Sequence, residues 1–241
     1  MESEDRSVFE LSYVEPTESF SYGKGSDQVI DFYLPVETNK PTIVLIHGGY
    51  WRPEYDRKHL APLAQKFADL GWPVALIEYR RIIGNPDAMM SDVVSAIEEV
   101  AGRNKNLVLI GHSAGGHLAL LAANKLNVLG VIALAPVTDL VKTEELDLDE
   151  GAASDFLGTP ASLRADLDPM RQPVLTVPTT LIHGALDIRV PVAFARDYVA
   201  NAASSQIKLI ELESVGHFEV IDPRHESLDN ILVELTKLKS A

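Results

Sequence analysis

Hydrophobic and polar positions along this chain fall into two regimes. Residues 28–35, QVIDFYLP, alternate polar and apolar side chains, the period of a half-buried strand. Residues 8–14, VFELSYV, are the candidate antiparallel partner for it. From residue 42 the pattern changes to short continuous apolar runs. These are TIVLIH (42–47), PVALIEY (73–79), NLVLIG (106–111), VIALAP (131–136), TTLIHG (179–184) and IKLIEL (207–212). Runs rich in Ile, Val and Leu, apolar on both faces, suit strands covered from both sides, as in a parallel sheet.

Between the runs lie stretches with helical signals. Residues 57–71 close on Gly71 with Pro73 just beyond, and residues 85–102 place Pro86 in the first turn and Gly102 at the end. Residues 114–126, 191–203 and 227–239 complete the set. Strand alternating with helix predicts a doubly wound α/β fold, with a mostly parallel central sheet and helices on both faces. Residues 137–178 break the rhythm: they are acidic, punctuated by Gly and Pro, and only locally periodic. So long a connection in a compact α/β domain reads as a functional insertion, here a short cap over the carboxyl edge of the sheet. Residues 1–241 are expected to form one domain.

Composition narrows the partners. A hydrophobic share of 46% and a charged share of 23% are globular values. The 21 basic residues against 35 acidic ones give a formal charge of −14. That argues against nucleic acid or anionic membrane, which demand basic surface, and leaves a small-molecule substrate as the expected partner. The absence of cysteine excludes a disulfide framework, a thiolate zinc site and a cysteine nucleophile. MESEDRSVFE at residues 1–10 lacks the basic and apolar regions of a secretory signal, and no apolar run approaches the roughly 20 residues of a membrane span. A cytoplasmic location is the expectation.

The most informative segment is LVLIGHSAGGHLALL (107–121), in which Gly111-His112-Ser113-Ala114-Gly115 joins a strand to a helix. A G-x-S-x-G pattern arises by chance in roughly one chain in ten of this size, so its position carries the weight. Glycines there permit a sharp turn that lifts Ser113 Oγ clear of the sheet, at a helix N-terminus where free N–H groups favour negative charge. A serine hydroxyl needs a base. Of the seven histidines, His217 follows the last strand and precedes the last helix, at the carboxyl edge where Ser113 also emerges. His59 and His225 fall on or near helices, His183 ends a strand, and His47 suits a loop-fixing hydrogen bond. His112 and His117 flank the serine, where packing or hydrogen bonding suits them. The acid that orients the imidazole is expected at Asp187 in LIHGALDIRVP, with Asp139 in APVTDL as its rival. The chain order is then Ser113, Asp187, His217.

Acyl transfer generates an oxyanion. Ala114 N–H, next to the nucleophile, is one expected donor, and the others should come from HGGYW (47–51), after the first central strand. Gly48 and Gly49 bring bare backbone close to a substrate. Tyr50 and Trp51 are expected to form an aromatic wall, with Gly48 and His112 as further candidate substrate contacts. This chemistry requires no metal and no organic cofactor.

In this order, these motifs resemble the α/β-hydrolase superfamily across almost the whole chain. His47-Gly48-Gly49-Tyr50-Trp51 is similar to the H-G-G-x-W motif of kynurenine formamidases (arylformamidases) of the serine-hydrolase type. It departs from the His-Gly-Gly-Gly of lipase-type esterases, with Tyr50 in the third glycine's place. The resemblance implies an α/β-hydrolase fold and an oxyanion hole built from the N–H groups of Gly49, Tyr50 and Ala114. It also implies hydrolysis of N-formyl-L-kynurenine to formate and kynurenine. A small-molecule carboxylesterase using the same machinery is the second reading, and a binding protein on a hydrolase fold without catalysis is the third.

Overall fold

The computed structural model describes residues 4–238. Eight strands form one sheet. They are β1 (Glu18–Ser21), β2 (Val29–Tyr33), β3 (Thr42–Ile46), β4 (Val74–Ile77), β5 (Leu107–His112), β6 (Gly130–Leu134), β7 (Thr179–Gly184) and β8 (Ile207–Leu212). Their spatial order is β1-β2-β4-β3-β5-β6-β7-β8. The β1–β2 and β2–β4 pairs are antiparallel and all the others parallel. The six apolar runs are thus the six parallel strands, as their two-sided pattern requires.

Alternate side chains supply the two faces. Val44, Ile46 and Leu109 enter one core, while Ile43, Leu45, Val108 and Ile110 enter the other. The first core is covered by helices α2 (Pro86–Arg103), α3 (Ala114–Ala123) and α6 (Ala193–Ala202), and the second by α1 (Ala61–Asp69) and α7 (Ser227–Lys237). Helix starts follow local chemistry: the Asn85 side chain accepts from Ala88 N at the head of α2, ahead of Pro86. The insertion folds into α4 (Leu140–Glu145), α5 (Ala152–Leu157) and three short 3₁₀ turns. No helix among the described residues is long and apolar enough to cross a membrane.

Three expectations need correction. Residues 8–14 form no strand: Ser7–Glu10 is a 3₁₀ turn, and the strand beside β2 is the exposed stretch ESFS at β1. Asp5 Oδ1 accepts from Ser7 N at 2.8 Å, at the start of that turn, and Val8 alone of the run is buried. The helix expected over 57–71 divides into a 3₁₀ turn, Arg57–Leu60, capped by Asp56, and then α1, with proline in its first turn. The last helix ends at Lys237, and residue 239 lies outside the described residues.

Candidate active site

Ser113 stands between β5 and α3 with φ 55° and ψ −120°. A non-glycine residue in this region costs about 1–3 kcal/mol and persists only where its surroundings over-determine it. Close backbone crossings do so here. A Cβ on Gly111 would lie 2.1 Å from Gly115 O, and one on Gly115 would lie 2.2 Å from Ile46 O. Only glycines let β5, α3 and the end of β3 approach this closely. Ala114 is the first residue of α3, so its N–H has no acceptor within the helix.

Asp187 follows β7 and His217 follows β8. His217 Nδ1 donates to Asp187 Oδ2 at 2.6 Å, and both side chains are buried. Asp187 Oδ1 accepts the backbone N–H groups of Arg189 and Val190 at 2.8 and 2.9 Å. Burial alone would raise the Asp187 carboxyl. The charge of His217, with hydrogen bonds from His183 and His217, outweighs burial and holds it well below the usual carboxylate range. With Nδ1 committed to Asp187, Nε2 is the ring atom left to accept a proton. Ser113 and His217 line the same cavity, with no hydrogen bond between their side chains. Such contacts commonly tighten only when substrate is bound. Asp139, the rival acid, is not near: its side chain accepts from Lys142 N at 2.9 Å and caps α4.

The HGGYW loop crosses the cavity floor. Gly49 has φ +108°, and Tyr50 and Trp51 follow at 49° and 58°, a run of left-handed residues that turns their N–H groups away from regular pairing. Among the described residues, no acceptor takes the backbone N–H of Gly49 or Tyr50. The loop is held from behind: His47 stacks on Tyr79 at 4.4 Å, its Nε2 lies 2.8 Å from Glu78 Oε1 and its Nδ1 2.8 Å from Gly48 O. Gly48 packs against the serine, where an added Cβ would lie 2.9 Å from Ser113 Cβ. It does not line the cavity, whereas Gly49, Tyr50 and His112 do. His112 donates from Nε2 to His217 O at 3.0 Å, leaving Nδ1 buried without a partner. Burial, then the nearby charge of His217, pushes His112 well below the usual imidazole value.

The expected aromatic wall needs correction at Trp51. Tyr50 lines the cavity and donates its hydroxyl to Arg189 O at 2.8 Å. Trp51 turns away: its ring stacks on Phe156 of α5 at 4.6 Å, and Nε1 donates to His117 Nδ1 at 3.3 Å. His117 Nε2 in turn donates to Leu167 O at 2.7 Å. Trp51 therefore anchors the insertion to the HGGYW loop instead of lining the cavity. The insertion itself contributes only Asp149 to the lining.

Sequence reasoning missed His183, whose Nε2 lies 2.8 Å from Val190 O and 3.1 Å from Asp187 Oδ2. Its position four residues before Asp187, across the β7 turn, was the available signal. Arg6, Phe9, Tyr55 and Phe218 in the cavity lining were also missed.

The His117 anchor carries a prediction. Burial pushes its imidazole down to about 4 from the ordinary 6.5, so between those values the unfolded chain binds the extra proton. Its contribution is complete above pH 6.5 and lost as pH falls towards 4. Urea midpoints should therefore drop from about pH 7.5 to about pH 5. His117→Gln should be less stable overall and show a smaller drop, and an unchanged drop in that variant would contradict the assignment.

This architecture, with a serine at a sharp turn after β5, an aspartate after β7 and a histidine after β8, is that of an α/β hydrolase. The chain belongs to the BD-FAE family, whose model matches residues 30–201. A kynurenine formamidase from Salmo salar is 36% identical over 110 residues, covering 42% of this chain and 36% of the relative. The chain thus spans little more than a third of that relative's length. Esterase LipC of Mycobacterium tuberculosis is 24% identical over 240 residues, covering 83% of this chain and 59% of that protein. Among solved structures, esterase B from Lactobacillus rhamnosis (HN001) superposes with a TM-score of 0.76 at 19% identity, covering 94% of this chain and 86% of that one. A carbohydrate esterase from gut microbiota gives 0.75 at 17% identity, covering 92% and 96%.

Proposed function

We propose that this protein hydrolyses a small-molecule amide or ester through a Ser113–His217–Asp187 triad, and that its natural substrate is an aryl formamide such as N-formylkynurenine. The observation that carries the reading is the buried 2.6 Å Asp187–His217 pair, set in one cavity with a serine held in an elbow. Ser113 Oγ attacks the carbonyl carbon while His217 Nε2 takes its proton, and Asp187 holds the ring and stabilises the imidazolium. The carbonyl oxygen becomes an oxyanion facing the N–H groups of Gly49, Tyr50 and Ala114, each such donor contributing about 10²–10³ in rate. Collapse of the intermediate expels the amine or alcohol, which takes the proton from His217. Water then attacks the acyl-serine by the same route, giving the carboxylic acid and free Ser113.

The arylformamidase reading rests on the HGGYW loop and on the kynurenine formamidase relatives. A carboxylesterase reading is favoured by the esterase relative that aligns over most of the chain. Comparing kcat/KM on N-formylkynurenine with that on short p-nitrophenyl esters separates the two. Higher kcat/KM on the formamide is expected, and turnover of the esters alone would establish the carboxylesterase instead.

A further inference from the structure

Part of the cavity wall comes from residues early in the sequence. Arg6 and Phe9, around the Ser7–Glu10 turn, line the cavity with Ser113 and His217. The turn is firmly placed. Glu4 receives two hydrogen bonds from Arg189, at 2.8 and 2.9 Å; Ser7 Oγ accepts from Arg224 at 3.0 Å; and Val8 is buried. Phe9 meets Phe218 edge-on at 4.9 Å, and Phe218 meets the His217 ring edge-on at 5.0 Å. The Arg6 guanidinium lies over both phenyl rings, 5.2 Å from the centroid of Phe9 and 5.4 Å from that of Phe218.

The charge at Arg6 is unusual for this chain. Of eleven arginines, the other ten each have a carboxylate within 4.0 Å, whereas Arg6 has none among the described residues. The remaining charged groups of the lining are already matched. Arg189 pairs with Glu4, and Asp149 with Arg52 at 3.0 Å and with Arg189 at 3.8 Å. A guanidinium with no carboxylate partner among the described residues is thus held over apolar rings in the cavity that Ser113 lines, in a chain of net charge −14. A monoanion suits it better than a dianion, which one cation in so acidic a chain compensates poorly. The rings beneath it suit an aromatic or apolar body between that anion and the scissile carbonyl.

We propose that Arg6 reads a carboxylate on the substrate, and that the Ser7–Glu10 turn, not the insertion, selects which molecules reach Ser113. The inference rests on the hydrolase reading and narrows its substrate class to aryl amides or esters that carry a carboxylate. A charge-assisted hydrogen bond of this kind is worth roughly tenfold or more in affinity.

The test uses two aryl acetates of one skeleton, para-acetoxyphenylpropionate and its neutral primary amide, whose phenol leaving groups are nearly identical. Wild type should favour the carboxylate in kcat/KM. Arg6→Gln should lower that preference about tenfold, Arg6→Glu should invert it, and Arg6→Lys should keep most of it. A preference unchanged in Arg6→Gln, or absent in wild type, would overturn the proposal. Arg6 is exposed, and thermal melting confirms folding of each variant. Calorimetric titration of Ser113→Ala with para-hydroxyphenylpropionate and its amide measures the same preference without turnover. The acid should bind more tightly, and adding Arg6→Gln should remove the difference; equal binding of acid and amide would again overturn it. Failure of wild type to hydrolyse either ester would instead count against the hydrolase reading.

Discussion

Replacing Ser113 by alanine should lower turnover by roughly 10⁴–10⁶-fold and leave the fold intact. Alanine keeps the Cβ and the backbone demands of the elbow, so the tight contacts of Gly111 and Gly115 with neighbouring backbone are undisturbed. Only the Oγ is lost. The cavity and the backbone N–H groups proposed to face the oxyanion are unchanged, so a residual rate above the uncatalysed reaction should persist. Steady-state kinetics on a p-nitrophenyl ester, run beside thermal melting, measure both halves of the expectation. Activity within tenfold of wild type would remove Ser113 from the chemistry.

Asp187→Asn should cost about 10⁴-fold in kcat at neutral pH. Asp187 Oδ2 now accepts from both His217 and His183, while Oδ1 is occupied by two backbone N–H groups. An asparagine keeps its oxygen on the backbone donors and turns an NH₂ group towards two imidazole N–H groups. His217 must then give up its Nδ1 proton and carry it on Nε2, the atom that should receive the serine proton. Loss of the carboxylate also removes the charge that stabilises the imidazolium. Asp139→Asn is the matched control, because Asp139 only caps α4 and asparagine caps a helix as well. A loss below tenfold in Asp187→Asn, or equal losses in the two variants, would reject Asp187 as the orienting acid.

Much of the fold was legible because burial wrote it locally. β3 to β7 are buried throughout, and short Ile-, Val- and Leu-rich runs of that kind suit strands covered on both faces. β1 was illegible for the opposite reason: ESFS is exposed throughout and leaves no hydrophobic trace. VFELSYV alternates as a strand does, but its alternation serves a turn that buries Val8 and sends Phe9 to the cavity.

The site divides in the same way. Ser113, Asp187 and His217 could be placed on one edge because each follows a strand of a parallel sheet, and topology brings such loops together. The destination of an aromatic side chain has no such local signal. Tyr50 and Trp51 are adjacent and alike, yet one lines the cavity and the other stacks on Phe156 in the insertion. Similarly, nothing near Arg6 in the sequence announces Phe218, which it meets only after the whole chain has folded.

The central claim is that Ser113 is the nucleophile of a serine hydrolase. Incubation with a small fluorophosphonate, followed by intact-mass analysis and peptide mapping, tests it most directly. The account predicts one adduct per chain, located on Ser113, with hydrolysis lost in proportion to labelling and labelling slowed in Asp187→Asn. A protein that stays active with Ser113 fully labelled, or one whose Ser113 never reacts while activity persists, would contradict it.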